Sequence, residues 1–255
     1  MQSGYRQVQN RAPCLDGSCK GSFYSMSLHT KLRLSSHRGV VQRLCNNLEE
    51  YHEQGIQMRL FLTGVSCVGK TTISKKVAEL LGIRFFDLDN EIESFFETSI
   101  EQLQSRFLTM HSFRNEAAKA LVHLLKRPES RDCVVALPPS GLMGGYLRAI
   151  KKANGITAVI TDKPENILDR IRFYDIDSRP IEKKLTPKEK KLYLGEIKKD
   201  ITYFRKSYQR ANLQVDISGL DADQAARKVK EAVEELDVKA IQQGSPNNGM
   251  KTDRV

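Results

Sequence analysis

The sequence predicts an α/β fold in which a parallel sheet of five strands has helices on both faces, giving three layers. Short apolar runs alternate along the chain with longer segments whose apolar residues recur at helical spacing. The short runs are apolar throughout, as expected for strands that are buried on both faces of a parallel sheet. The predicted strands are 58–63, 83–86, 133–137, 156–160 and 213–217.

Residues typical of helix ends support the predicted helices. Gly82 stands where a C-terminal cap is expected, because glycine adopts the left-handed conformation of that position without strain. Ser99 with Gln102, and Thr186 with Glu189, have the spacing of capping boxes. The predicted helices are 70–81, 89–96, 99–106, 110–126, 142–152, 164–172, 187–211 and 221–235.

A glycine-rich motif joins the first predicted strand to the first predicted helix. Residues 64–72 read Gly-Val-Ser-Cys-Val-Gly-Lys-Thr-Thr and fit the pattern G-x-x-x-x-G-K-[ST]. In this setting the loop amides and the helix start bind phosphate, Lys70 neutralises it, and the Thr71 hydroxyl can bind Mg²⁺. The motif therefore predicts a P-loop NTPase fold with a catalytic lysine. The predicted nucleotide-binding residues are Gly64, Ser66, Cys67, Val68, Gly69, Lys70, Thr71 and Thr72.

Two carboxylates follow the second predicted strand. Asp87 and Asp89 alternate along the chain, so in an extended segment both would point into the ligand crevice at the carboxyl end of the sheet. We expect Asp87 to join Thr71 at a Mg²⁺ ion, and Asp89 to accept the proton of an attacking hydroxyl. The alternative is that one of the two carboxylates only caps the following helix.

Composition limits the compartment and the partners. Five cysteines in 255 residues form no paired framework, which indicates a reducing compartment and predicts a cytoplasmic protein. No apolar run is long enough for a membrane helix. The formal charge of +10 is spread over helices that also carry acids, so we expect no nucleic-acid partner. We also expect a monomer.

The chain is predicted to have one catalytic domain with an extension at each end. The domain covers 58–236 and is preceded by 1–57, predicted to be mostly disordered with one amphipathic helix at about 38–53. Residues 237–255 are predicted to be a disordered tail. The Ser-rich, Arg-rich and acid-poor composition of the first 50 residues is also that of an organelle transit peptide, which remains an alternative.

Several motifs, in order along the chain, resemble those of shikimate kinases. They are the P-loop, Phe86-Asp87-Leu88-Asp89, Ser99-Ile100-Glu101, Ser112-Phe113-Arg114-Asn115-Glu116 and Arg179-Pro180. The resemblance covers about residues 58–235 and implies a nucleoside-monophosphate-kinase-like fold with a helical lid. It also implies ATP- and Mg²⁺-dependent phosphorylation of the 3-hydroxyl of shikimate, a step in the biosynthesis of aromatic amino acids.

The resemblance assigns roles to individual side chains. It implies that Asp89 contacts the shikimate hydroxyls as general base and that Arg114 pairs with the shikimate carboxylate. It places Arg179 on the lid, where it would bind the nucleotide and stabilise the transferring phosphoryl group. A second substrate-binding arginine is expected near the end of the last long helix, with Arg205 as the candidate and Arg210 as its alternative.

One loop departs from the family pattern. Where shikimate kinases carry three glycines after the third strand, this chain has Leu-Pro-Pro-Ser-Gly at 137–141. Pro138 and Pro139 have no N–H to donate, so we expect Ser140 and Gly141 to make the substrate contacts of this loop. The departure leaves two alternatives open: a kinase of another sugar acid such as gluconate, or a non-catalytic nucleotide-binding regulatory module.

Overall fold

The computed structural model describes residues 58–174, 180–181 and 183–243. The predicted helix at about 38–53 and the last part of the predicted tail, 244–255, lie outside these ranges. Within the described residues no helix combines the length and the apolar character needed to cross a membrane.

A parallel five-stranded sheet forms the centre of the main unit, as predicted. Its strand order is β2-β3-β1-β4-β7, and every neighbouring pair is parallel. Leu60, Phe61 and Leu62 of the central strand are fully buried, because strands and helices surround them on all sides. The strands are β1 (Arg59–Thr63), β2 (Arg84–Asp87), β3 (Cys133–Ala136), β4 (Ile156–Thr161), β5 (Phe173–Tyr174), β6 (Pro180–Ile181) and β7 (Leu213–Asp216).

Helices cover both faces of the sheet, which confirms the three-layer prediction. The first and last described helices pack against each other, and so do the fourth and fifth. The helices are α1 (Lys70–Leu81), α2 (Leu88–Phe96), α3 (Ile100–Ser105), α4 (Met110–Leu124), α5 (Gly144–Lys152), α6 (Pro164–Asp169), α7 (Pro187–Tyr208) and α8 (Ala222–Gln243). A short 3₁₀ turn, Pro128–Ser130, precedes β3.

The predicted caps are present, with one difference. Gly82 is left-handed at φ 67° and ends α1, and Thr186 forms a full capping box with Glu189 at the start of α7. Ser99 accepts from the Gln102 amide as expected. The Gln102 side chain, however, accepts from the Thr98 hydroxyl at 2.8 Å, so this box is only half formed.

Several element ends differ from the prediction. Helix α6 ends at Asp169, α7 ends at Tyr208, and α5 begins at Gly144 because the preceding residues form turns. Helix α8 continues to Gln243, so the expectation that the tail is disordered from residue 237 is wrong for 237–243. The reason is visible in the sequence, since no glycine or proline follows Gly219 before Gly244 and the intervening residues include good helix formers.

Residues 172–181 belong to a second, small unit. Its described part is an antiparallel ribbon in which Phe173 pairs with Ile181 and Tyr174 with Pro180. The helical lid implied by the resemblance is thus described only in part, as this ribbon and the irregular residues 183–186. Arg179 lies outside the described residues.

Candidate active site

The glycine loop lies between β1 and α1, as predicted. Gly64 is buried, and a Cβ atom there would lie 2.5 Å from the Ile160 carbonyl oxygen, so no larger residue fits. Gly69 is left-handed at φ 104° and precedes the first residue of α1. No side chain of the described residues caps this helix, so no cap competes with a phosphate for its first amides. Val68 is buried, whereas Ser66 and Thr72 are exposed.

Cys67 and Lys70 are both partly buried. Cys67 is left-handed at φ 60°, which is uncommon for a residue with a side chain. Lys70 Nζ donates to the Val65 carbonyl at 3.0 Å, which folds the ammonium group back over the loop. Burial lowers the pKa of Lys70, while the Asp89 carboxylate opposes that change. Burial also raises the pKa of the Cys67 thiol, so it stays protonated despite the nearby lysine.

Asp87 caps α2 and also contacts Thr71. It is the last residue of β2 and the N-cap of α2, where Oδ1 accepts from the Asp89 amide at 3.0 Å. Its other oxygen, Oδ2, accepts from the Thr71 hydroxyl at 2.7 Å. Capping therefore fixes the Asp87 carboxylate beside the Thr71 hydroxyl at the start of α1. The carboxylate and the hydroxyl are both oxygen ligands of the kind that a hard cation prefers.

Asp89 lies in the first turn of α2 and not in an extended strand. The expected alternation with Asp87 is wrong for this reason, since the strand ends at Asp87 and its cap turns the chain into a helix. Burial and the Asp87 carboxylate raise the pKa of Asp89 while Lys70 lowers it, and the net result is a pKa of about 6. Such a carboxylate is ionised at neutral pH and basic enough to take a proton.

Arg114 is a buried cation in need of an anion. It lies in the first turns of α4 with only 7% of its surface exposed. Among the residues that the structure describes, its Nε finds no hydrogen-bond partner. A buried N–H of a charged group without a partner is costly, so the arrangement favours an anionic ligand.

The start of α5 packs tightly against Arg114. A Cβ atom on Gly145 would lie 3.0 Å from the Arg114 carbonyl oxygen and 2.7 Å from Ala118 Cβ. The next residue, Tyr146, is buried, and its burial raises the pKa of the phenol. The Asp89 carboxylate raises this pKa further and the Arg114 guanidinium lowers it, which places all three groups in one neighbourhood. Sequence reasoning missed Tyr146, and the only available signal was a lone aromatic residue after two glycines.

The loop after β3 is closed on itself. The Gly141 amide donates to the Pro138 carbonyl at 2.8 Å, so it is engaged within the loop. A Cβ atom on Gly141 would lie 2.6 Å from Leu137 Cβ, which restricts this position to glycine. Ser140 is buried.

The structure separates the two candidate arginines near the end of α7. Arg205, on the helix, and Arg210 are both exposed. Arg210, two residues beyond the helix end, donates from Nη1 to the Leu142 carbonyl at 3.2 Å. It is therefore Arg210 that contacts the loop after β3.

A protein-family model described as shikimate kinase matches residues 66–234. The chain belongs to the shikimate kinase family. Shikimate kinase from Chlorobaculum tepidum is 30% identical over 192 residues, which cover 74% of this chain and 95% of that protein. The crystal structure of shikimate kinase from Aquifex aeolicus has a TM-score of 0.52 and 25% identity, covering 71% of this chain and 99% of that one. A gluconokinase structure from Sinorhizobium meliloti shares the fold, with a TM-score of 0.51, 15% identity, and coverage of 74% and 98%.

As a member of the shikimate kinase family, the chain is a small-molecule kinase that uses ATP. Its P-loop, both aspartates and Arg114 lie within one unit of the structure. The expected substrate contacts of Ser140, Gly141 and Arg205, and of Arg210 as the alternative to Arg205, stay predictions.

Proposed function

We propose that the protein transfers the γ-phosphoryl group of ATP to the 3-hydroxyl of shikimate. The observation that carries this proposal is the position of Asp89. The Asp89 charge raises the pKa of Lys70 in the P-loop and that of Tyr146. The Arg114 charge lowers the pKa of the same tyrosine. A basic carboxylate thus acts electrostatically on the lysine of the phosphate cradle and on a tyrosine that also senses a buried arginine, which supports a hydroxy acid as the acceptor.

The donor side is assigned to the P-loop. Amides at the start of α1 and the Lys70 ammonium would hold the phosphates, with Gly64 and Gly69 giving the loop its shape. The Thr71 hydroxyl and the Asp87 carboxylate, both oxygen donors, fit Mg²⁺. When bound, that ion neutralises charge on the β- and γ-phosphates.

The acceptor side is assigned to Asp89, Arg114 and Ser140. The guanidinium would pair with the carboxylate of the acceptor and so orient its ring. Asp89 would hydrogen-bond the reacting hydroxyl and remove its proton as the phosphoryl group transfers. Arg179 is proposed, from the family resemblance, to stabilise charge on the transferring group.

The test is a coupled assay of ADP release from ATP, Mg²⁺ and shikimate, with the product identified by ³¹P NMR. Turnover with the phosphate on the 3-hydroxyl is expected. Gluconate in place of shikimate is the comparison, because the proline loop departs from the family pattern. Turnover with gluconate alone would keep the kinase activity and refute the acceptor. ATP binding without turnover of any hydroxy acid would favour a regulatory module.

The cytoplasmic location and the monomeric state stay predictions. Gel filtration of the full chain, combined with light scattering, would test the second of these.

A further inference from the structure

The loop at 137–143, called here the acceptor loop, has few amides left for a ligand. Pro138 and Pro139 have none. The Gly141 amide donates to the Pro138 carbonyl at 2.8 Å, and the Met143 amide donates to the Ser140 carbonyl at 3.0 Å. Two consecutive turns thus engage the amides of Gly141 and Met143 within the loop itself.

The acceptor loop is also held by hydrogen bonds to residues outside it, first of all to residues of β1. The Leu137 amide donates to the Leu62 carbonyl at 2.8 Å, and the Thr63 hydroxyl donates to the Pro138 carbonyl at 2.9 Å. Thr63 is fully buried and immediately precedes Gly64. One side chain therefore connects the start of the phosphate-binding loop to the acceptor loop.

A second fastening comes from the end of α7. Arg210 donates from Nη1 to the Leu142 carbonyl at 3.2 Å, across 68 positions of sequence. The Arg210 backbone is itself held, because its amide donates to the Ser207 carbonyl at 3.1 Å. Arg210 is therefore held by its backbone at one end and hydrogen-bonded to the loop through its guanidinium at the other.

We propose that Arg210 is a positioning residue that, together with Thr63, holds the acceptor loop in place, and that it is not a second ligand of the acceptor carboxylate. This inference rests on the proposed function, and it makes that function more specific. Arg210 then leaves the acceptor carboxylate to Arg114, whose buried Nε has no partner among the described residues.

The first experiment needs no substrate. Hydrogen exchange of the full chain is followed in Arg210→Gln, Thr63→Val and Thr63→Ser, with Lys206→Gln as the control on the exposed side of α7. Loss of one fastening hydrogen bond should speed exchange of the Gly141 and Met143 amides about fivefold. Thr63→Ser keeps the hydroxyl and should behave as the natural protein does. Unchanged exchange in Arg210→Gln would overturn the proposal.

The second experiment separates a positioning role from carboxylate binding. Shikimate and its methyl ester are compared as acceptors in Arg210→Gln and Arg114→Gln. We expect Arg210→Gln to lower kcat/KM by the same factor, about tenfold, for both acceptors, since a loosened loop affects each alike. Arg114→Gln should lower kcat/KM much more for shikimate than for the ester. If the Arg210→Gln loss also shrinks with the ester, Arg210 binds the carboxylate and the proposal fails.

The two experiments fail in different ways. A natural protein that does not turn over shikimate refutes the proposed function, and the exchange experiment then still decides whether Arg210 and Thr63 hold the loop. Normal turnover with unchanged loop exchange in Arg210→Gln refutes only the inference.

Discussion

Asp89 should control the pH dependence of the reaction. Its pKa of about 6 means that the carboxylate form, needed as base, is lost as the pH falls below that value. With both substrates below their KM, the rate reports the free enzyme and should rise through pH 6 to a plateau near pH 7. Asp89→Asn should lower the plateau by a factor of about 10² to 10⁴. An acid limb near pH 4 would show that another group is the base.

The same residue should lower stability at neutral pH. The folded-state pKa of Asp89 lies above the ordinary value of 3.8, so folding favours its protonated form. The stability that this form contributes is fully present below pH 3.8 and is lost as the pH rises through about 6. Asp89→Asn should therefore raise the free energy of unfolding at pH 8 by up to about 3 kcal/mol and change it little at pH 4. Urea unfolding at the two pH values measures the difference, and equal effects at both would contradict the assignment.

At the level of elements, the contact between α4 and α5 positions Arg114. Gly145→Ala would place a methyl group 3.0 Å from the Arg114 carbonyl oxygen and 2.7 Å from Ala118 Cβ, so the helices must separate. We expect kcat/KM for shikimate to fall about tenfold while the KM for ATP is unchanged, because the P-loop is not part of this contact.

Gly195→Ala is the matched control for that substitution. Gly195 lies in α7, where an added Cβ meets no atom within 4 Å. There the change should stabilise the helix by about 0.5–1 kcal/mol and leave kcat/KM for shikimate and the KM for ATP unchanged. If Gly145→Ala raised the KM for ATP as much as that for shikimate, the proposed effect on Arg114 would be wrong.

The sequence predicts the elements well where local pattern decides them. Strand β1, the glycine loop and α1 were predictable. The strand and the helix follow from apolar spacing, and the loop follows from conformations that only glycine adopts readily. The capping of α2 by Asp87 was not predictable, because capping depends on where β2 ends within one residue. The bond from Arg210 to Leu142 joins residues 68 positions apart, and no local signal reports such a contact.

At the scale of the whole molecule, the order of the strands brings the candidate groups together. Strand β3 lies between β2 and β1, with Asp87 opposite Ala136 on one side and Leu62 opposite Ala136 on the other. Since all three strands are parallel, their carboxyl ends lead side by side into α2, the acceptor loop and the P-loop. This order could not be predicted from the sequence, because the apolar runs are nearly interchangeable and carry no mark of their neighbours.

That arrangement predicts how nucleotide binding should stabilise the whole fold. A non-hydrolysable ATP analogue at about 100 times its Kd should stabilise the protein by about 2.7 kcal/mol, if it binds only the folded state. For a chain of this size the unfolding midpoint should rise by about 5–10 °C, as measured by calorimetry.

Part of the rise should require Mg²⁺ and disappear with EDTA in the natural protein. Asp87→Asn should lose that Mg²⁺-dependent part, because asparagine still caps α2 but brings no charge to the Thr71 hydroxyl. An equal Mg²⁺ effect in Asp87→Asn would show that Asp87 does not hold the ion. A lower midpoint in the nucleotide-free Asp87→Asn protein would instead point to a failed cap.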